Sequence, residues 1–313
     1  MAAPCDQNGP MEVVVTGASG LIGQALVTIL EARGDRVRRL VRRPVGDPSE
    51  IRWDPDRGHL NPTPLVGVEA VIHLAGAGIA DRRWTRSQMN RILESRTRGT
   101  QLLAHSLAEA RPLGGPKVLV SGSAIGFYGD RGEEALTEAS PRGTGFLADV
   151  CVAWEDATRD AERAGLRVAY ARTGVVLARS GGLLARLLPL FQVGLGGRIG
   201  SGRQFMSWIS LTDEVAALAW MIDNDVAGPV NLVAPGAVTN TEFSRTLGKV
   251  LRRPARLPVP PLGPALLYGR HLVRELMLAS TLVLPGVLGG GGFQFAHPSL
   301  NEALVESIRG SAA

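Results

Sequence analysis

Three glycines, Gly17, Gly20 and Gly23, are spaced G-x-x-G-x-x-G in the segment VVVTGASGLIG. They follow a β-branched run, residues 12–16. They precede apolar residues at helical spacing: Leu21, Ile22, Ala25, Leu26, Ile29 and Leu30. Strand, tight turn and helix N-terminus in that order make a cradle for phosphate. The first glycine permits the turn, the second lets the backbone approach a pyrophosphate, and the third lets helix and sheet pack closely. Free N–H groups and the partial positive charge of the helix end hold the anion. Gly17, Ser19, Gly20, Leu21 and Ile22 are the expected contacts. About 20 residues further on, an NAD site usually places a carboxylate on the ribose hydroxyl. Here that position holds Arg42 and Arg43. A carboxylate repels a 2′-phosphate, whereas guanidinium groups pair with it bidentately. The expected cofactor is therefore NADP(H), held by at least one of the two arginines; the alternative is a pair of solvated side chains. Ala75 and Gly76, in HLAGAGI after a further strand, are small enough for the adenosine half to lie against the backbone.

Hydride chemistry at a nicotinamide needs a proton partner. In SGSAIGFYG the candidates are Ser123 and Tyr128. Ser123, read as lying just past a strand's carboxyl end, would hydrogen-bond a substrate carbonyl. Tyr128 would donate a proton if Arg131 or cofactor charge tuned it, because an unperturbed tyrosine near pKa 10 is a poor base. Their ordinary readings are a turn residue and a packing residue. His73, on a buried strand, reads as a satisfied core histidine in preference to an acid–base group. The histidines and the two cysteines, Cys5 and Cys151, show no metal-ligand spacing, so no metal is expected.

These residues must be positioned by alternating elements. Strands are expected at 12–16, 36–41, 70–74, 118–121, 167–171 and 231–235. Helices are expected at 21–33, 87–110, 146–164, 182–191, 213–223, 241–252 and 300–308. The alternation predicts an α/β fold, a Rossmann doubly wound parallel sheet with a small C-terminal substrate-facing lobe. Residues 1–10 read as a loose tail without the marks of a signal or transit peptide. Residues 11–253 read as the NADP-binding domain, with 178–210 contributing to the substrate lobe, and 254–313 as the small C-terminal lobe. The glycine-rich stretch 194–204 is either a substrate clamp, through Arg198, Arg203 and Gln204, or a surface hairpin.

Net charge is +5 and 5% of residues are aromatic. The arginines are scattered among acids, with no basic stripe or aromatic platform, so nucleic acid is not an expected partner. The most apolar run, 276–288, is broken by Pro285 and falls short of the roughly 20 residues of a spanning helix. No membrane partner is expected. Without a disulfide framework, the default compartment is reducing and cytoplasmic.

TGASGLIG and HLAG resemble the cofactor signatures of the extended short-chain dehydrogenase/reductases. IRWDP (51–55), RRWT (82–85), SRTRGT (95–100), WE (154–155), RTGVVL (172–177), GLGGRIGSGRQFMSWI (194–209) and GFQFAHPSL (292–300) narrow the resemblance to the "epimerase family protein" branch over residues 11–305. The resemblance implies that Arg96 reaches the cofactor and that Val175 lies near the nicotinamide; a surface arginine and a core valine are the alternatives. It also implies a homodimer through the helices at 87–110 and 146–164. The superfamily's Tyr-x-x-x-Lys pair is absent. Tyr128, Tyr170 and Tyr268 are followed four residues on by Gly132, Gly174 and Leu272, and Phe146 and Val150 fall at the matching positions. Two functions stay open: an NADP(H)-dependent oxidoreductase or epimerase-like enzyme acting on a small polar molecule, and a cofactor-binding sensor or interaction protein without turnover.

Overall fold

The computed structural model describes residues 9–255 and 257–310. Residues 1–8, with Cys5 and most of the expected tail, lie outside the described residues. Eight strands form the main sheet: β1 (Glu12–Thr16), β2 (Arg36–Val41), β3 (Glu50–Asp54), β4 (His59–Leu60), β5 (Ala70–His73), β6 (Val118–Ala124), β7 (Arg167–Thr173) and β8 (Gly228–Leu232). Their order is β8-β7-β6-β5-β1-β2-β3-β4. All neighbours are parallel except the edge pair β3–β4. The chain leaves β1 in one direction and returns past it to β5, so strand order reverses beside β1. Ligands bind at such a switch point, beyond the strands' carboxyl ends.

Both sheet faces are covered, which is why the strands are apolar without alternation. Val13 and Val15 face α1 (Leu21–Ala32) with Leu26 and Leu30, whereas Val14 packs with Val71, Leu103 and Leu107 of α2 (Arg86–Ala110). The expected helix at 146–164 is two helices, α3 (Phe146–Asp156) and α4 (Arg159–Arg163). Thr158 interrupts them. Its hydroxyl donates to Glu155 O at 2.8 Å and lies 3.1 Å from the Tyr170 hydroxyl, so a side chain competes with the helical ladder. The motif IRWDP contributes β3, which the apolar pattern did not mark as a strand.

The later elements are α5 (Gly182–Gln192), α6 (Leu211–Asp223), α7 (Asn240–Leu251) and a last helix, Leu300–Arg309. α6 joins α1 on its face of the sheet. α5, α7 and the last helix share a core around Phe191, Trp208 and Phe243. Within the proline-dense stretch 254–264, which the sequence suggests as a linker or loop, α8 (Leu262–Tyr268) already begins. Pro264 fits there because first-turn N–H groups have no partner inside the helix. Among the described residues, no helix is long and apolar enough to cross a membrane.

Candidate functional site

The turn after β1 lies against the backbone that leaves β5. Gly17 has φ +70°, and a Cβ there would stand 2.8 Å from the Leu74 carbonyl carbon and 2.9 Å from Ala75 N. Only glycine meets both demands. A Cβ on Gly23 would overlap the Gly17 carbonyl oxygen. The third glycine thus lets the helix close on its own entry turn, and not on the sheet as the spacing implied. Gly20 caps α1 without a side chain, and the first helical turn carries no acid. Its N–H groups therefore face the turn with no carboxylate to satisfy them.

Thr16 ties the two loops together. Its hydroxyl oxygen accepts from Leu74 N and Ala75 N, both at 3.1 Å, so its proton goes to His73 Nδ1 at 2.6 Å. That assigns the ring proton to Nε2, which donates to Thr100 Oγ1 at 2.9 Å. Burial, aided by the Arg96 charge, pushes His73 down to about 4. His73 is a neutral strut, as its buried strand implied.

The two arginines after β2 differ. Arg43 pairs bidentately with buried Glu50, whose carboxylate also accepts from Gly46 N at 2.7 Å. Arg43 thereby folds the 43–46 loop. Arg42 is exposed, and among the described residues no ion pair holds it. Arg96 lies beneath the loop after β5, only 7% exposed. It donates to Ala77 O at 3.0 Å and stacks 4.8 Å over Trp154. No carboxylate among the described residues forms an ion pair with it. An uncapped helix end, a glycine cradle, a free arginine and a buried unpaired guanidinium all fit a dinucleotide carrying phosphate. Ala75 is half-buried and Gly76 exposed beside this loop. Val175 is half-buried just past β7, in a short strand, Val175–Leu177.

Ser123 lies within the final residues of β6, not beyond it, and is 5% exposed. Its hydroxyl donates to Glu155 Oε1 at 2.7 Å. Arg172 grips the same carboxylate through Nε and Nη2, both at 2.9 Å. It also donates through Nη1 to the Tyr128 hydroxyl at 3.0 Å. Tyr128 is fully buried and donates onward to Asn231 Oδ1 at 2.7 Å. Burial raises its pKa, with Arg172 opposing. The cation beside Tyr128 is thus Arg172, and Arg131 instead pairs with Glu134 at the surface. Sequence reading missed Glu155, Arg172 and Asn231 as site residues, although the motifs WE and RTGVVL contained the first two. Phe146 stacks edge-on with Trp84, centroids 5.2 Å apart, beside Leu147, Val150 and Leu272. Its N–H and that of Leu147 donate to Glu275 at 3.1 and 2.8 Å. Cys151 is buried, and desolvation pushes its thiol up to about 11.

In the glycine-rich stretch, Arg198 donates to Gly200 O and Ser201 O, and Gln204 to Ile199 O and Met277 O. These two side chains hold the loop itself, whereas Arg203 is exposed.

A family model described as "NAD dependent epimerase/dehydratase family" matches residues 13–234. The chain belongs to this family. A domain of unknown function, DUF1731, matches residues 259–306 of the same epimerase-family chain. The "Epimerase family protein Mb2239" of Mycobacterium bovis is 44% identical over 93% of this chain and 96% of that one. Human "Epimerase family protein SDR39U1" is 36% identical over 95% and 100%. The crystal structure of human SDR39U1 (isoform 2) with NADPH matches with TM-score 0.87 and 34% identity, covering 96% of this chain and all of that one. More distant sugar-nucleotide enzymes, at 17–24% identity, share the fold.

Proposed function

We propose that this epimerase-family chain binds NADPH in the cradle of Gly17, Ser19, Gly20, Leu21 and Ile22. Arg42 is the 2′-phosphate contact, Ala75, Gly76 and Arg96 lie along the cofactor, and Val175 lies beside the nicotinamide. The observation that carries this is the contrast between the arginines: Arg43 is consumed by Glu50, whereas Arg42 is exposed and unpaired at the carboxyl end of β2. The human relative crystallised with NADPH supports it.

When bound, the nicotinamide supplies or accepts a hydride. The chain's own part is to orient a small-molecule substrate. Ser123 would hold its carbonyl, with Glu155 and Arg172 fixing the hydroxyl's direction. Tyr128 acts one step behind, by steadying Arg172. Residues 11–253 form the nucleotide domain in this reading, and 254–313 with 178–210 cover the substrate. A reductase working in the cytoplasm fits these features. The second reading, an NADPH sensor without turnover, draws on one observation. Phe146, Val150, Trp84 and Leu272 form an apolar cluster where the superfamily keeps its proton-transfer pair.

Titration with NADPH and NADH tests the cofactor. Charge-assisted hydrogen bonds contribute about 1.5–3 kcal/mol. Arg42→Ala is therefore expected to weaken NADPH roughly 10- to 100-fold while leaving NADH unchanged. Arg43→Ala should lower thermal stability with little change in the NADPH/NADH ratio. Equal loss of both nucleotides in Arg42→Ala, or loss of preference only in Arg43→Ala, would overturn the assignment. NADPH oxidation over a carbonyl panel, abolished in Ser123→Ala, would favour the enzyme over the sensor.

A further inference from the structure

Two segments of the chain are free of acid. Residues 163–212 and 243–274 contain no Asp or Glu, yet both carry several arginines. The structure stitches parts of them together. Val259 N donates to Arg198 O at 2.8 Å, Gly200 N donates to Val259 O at 3.1 Å, and Gly194 packs on Pro254. Large aliphatic side chains stand in solvent along this seam. Leu190, Val193 and Leu195 lie at and just after the end of α5. Leu257 lies on the neighbouring strand of chain, and Leu262, Leu266 and Leu267 continue along α8. Their exposures run from 48% for Leu190 to 71% for Leu267, and α8 buries no residue. Arg252 and Arg253 precede this row and Arg270 and Arg274 follow it, all exposed, and none forms an ion pair among the described residues. The nearest acid in sequence, Glu275, is turned inward to the N-terminus of α3. Across the seam, Asp81 is already paired with Arg186.

We propose that this face rests on an anionic phospholipid surface, the leucines entering the interface and the arginines meeting headgroup phosphates. Contiguous exposed apolar area marks an interaction site. The charge decides the occupant. A second copy packed by two-fold symmetry would set this net-positive face against itself, arginine opposite arginine. A headgroup layer satisfies both features at once, since aliphatic groups partition into it and basic groups are drawn to its negative potential. Guanidinium groups pair with phosphate bidentately, which suits a face whose cations are nearly all arginine. No spanning helix is required.

Flotation of the full chain with vesicles tests this. Binding is expected to phosphatidylcholine–phosphatidylglycerol vesicles, with little to phosphatidylcholine alone, and it should be reversed by salt. Arg270→Ala/Arg274→Ala should weaken it roughly five-fold per arginine. Leu262→Asp/Leu266→Asp/Leu267→Asp should abolish it, with melting temperature and NADPH affinity unchanged because these side chains are in solvent. Absence of binding to anionic vesicles would overturn the proposal, as would full binding by the triple variant. A concentration-dependent dimer in sedimentation velocity that the triple variant dissolves would instead assign the face to a second copy.

Discussion

Arg172→Ala is expected to destabilise the fold by about 3–5 kcal/mol, the usual cost of removing one partner of a buried ion pair. The Glu155 carboxylate would lose both guanidinium bonds and keep only the Ser123 hydroxyl. The Tyr128 hydroxyl would lose its donor while still giving its proton to Asn231. Arg172 also stacks 3.5 Å over the Phe127 ring, so its removal opens a space in the packing. A fall of roughly 5–8 °C in Tm follows for a chain of this size. The same deletion frees the Ser123 hydroxyl to turn, so NADPH affinity should hold while any carbonyl-dependent oxidation falls. A double variant, Glu155→Leu/Arg172→Met, distinguishes unpaired charge from lost volume. Replacing both charges by apolar groups is often neutral, so the double should melt above either single. If the double melts no higher than Arg172→Ala, packing and not charge holds this network.

How far the chain could be read before its structure depended on the range of the interaction. The cradle was legible because its physics is local: turn, glycines and helix start lie within eleven consecutive residues. β1, β2, β5 and most helices followed from apolar spacing in the same way. Arg42 and Arg43 were indistinguishable as neighbours in sequence. Only the fold brings Glu50 to one of them, and Glu50 is made available by β3, a strand with Arg52 and Asp54 too polar to stand out. The Ser123 network joins residues from β6, the turn after it, α3, β7 and β8 through hydrogen bonds that span up to 103 positions. No spacing rule sees such a contact. The break at Thr158 escaped notice because a helix pattern gives no weight to a tyrosine hydroxyl arriving from β7. α8 was hidden by Pro264 and the prolines just before it, which fit a helix start but are costly in a helix interior.

Glu214 gives the molecule a pH response of definite sign. It sits in the first turn of α6, fully buried. Thr173 Oγ1 donates to its Oε1 at 2.8 Å, and among the described residues Oε2 has no partner. Burial pushes this carboxyl up from 4.5 to about 8. Between those values the folded chain keeps a proton that the unfolded chain has released. Stability must therefore fall as pH rises through the window, by about 1.4 kcal/mol per unit at most. His73 works in the other direction. Its folded pKa of about 4 lies below the ordinary 6.5, so stability falls as pH drops from 6.5 toward 4. The two slopes oppose each other between 4.5 and 6.5, and above 6.5 only that of Glu214 remains. Denaturant melts of Glu214→Gln against the parent should separate them. The amide cannot ionise, so the variant's advantage should grow steadily from pH 6.5 to 8 and then level off. A difference that stays constant across that range would mean that Glu214 is ionised in the fold at neutral pH. A counter-charge or bound water would then have to reach Oε2.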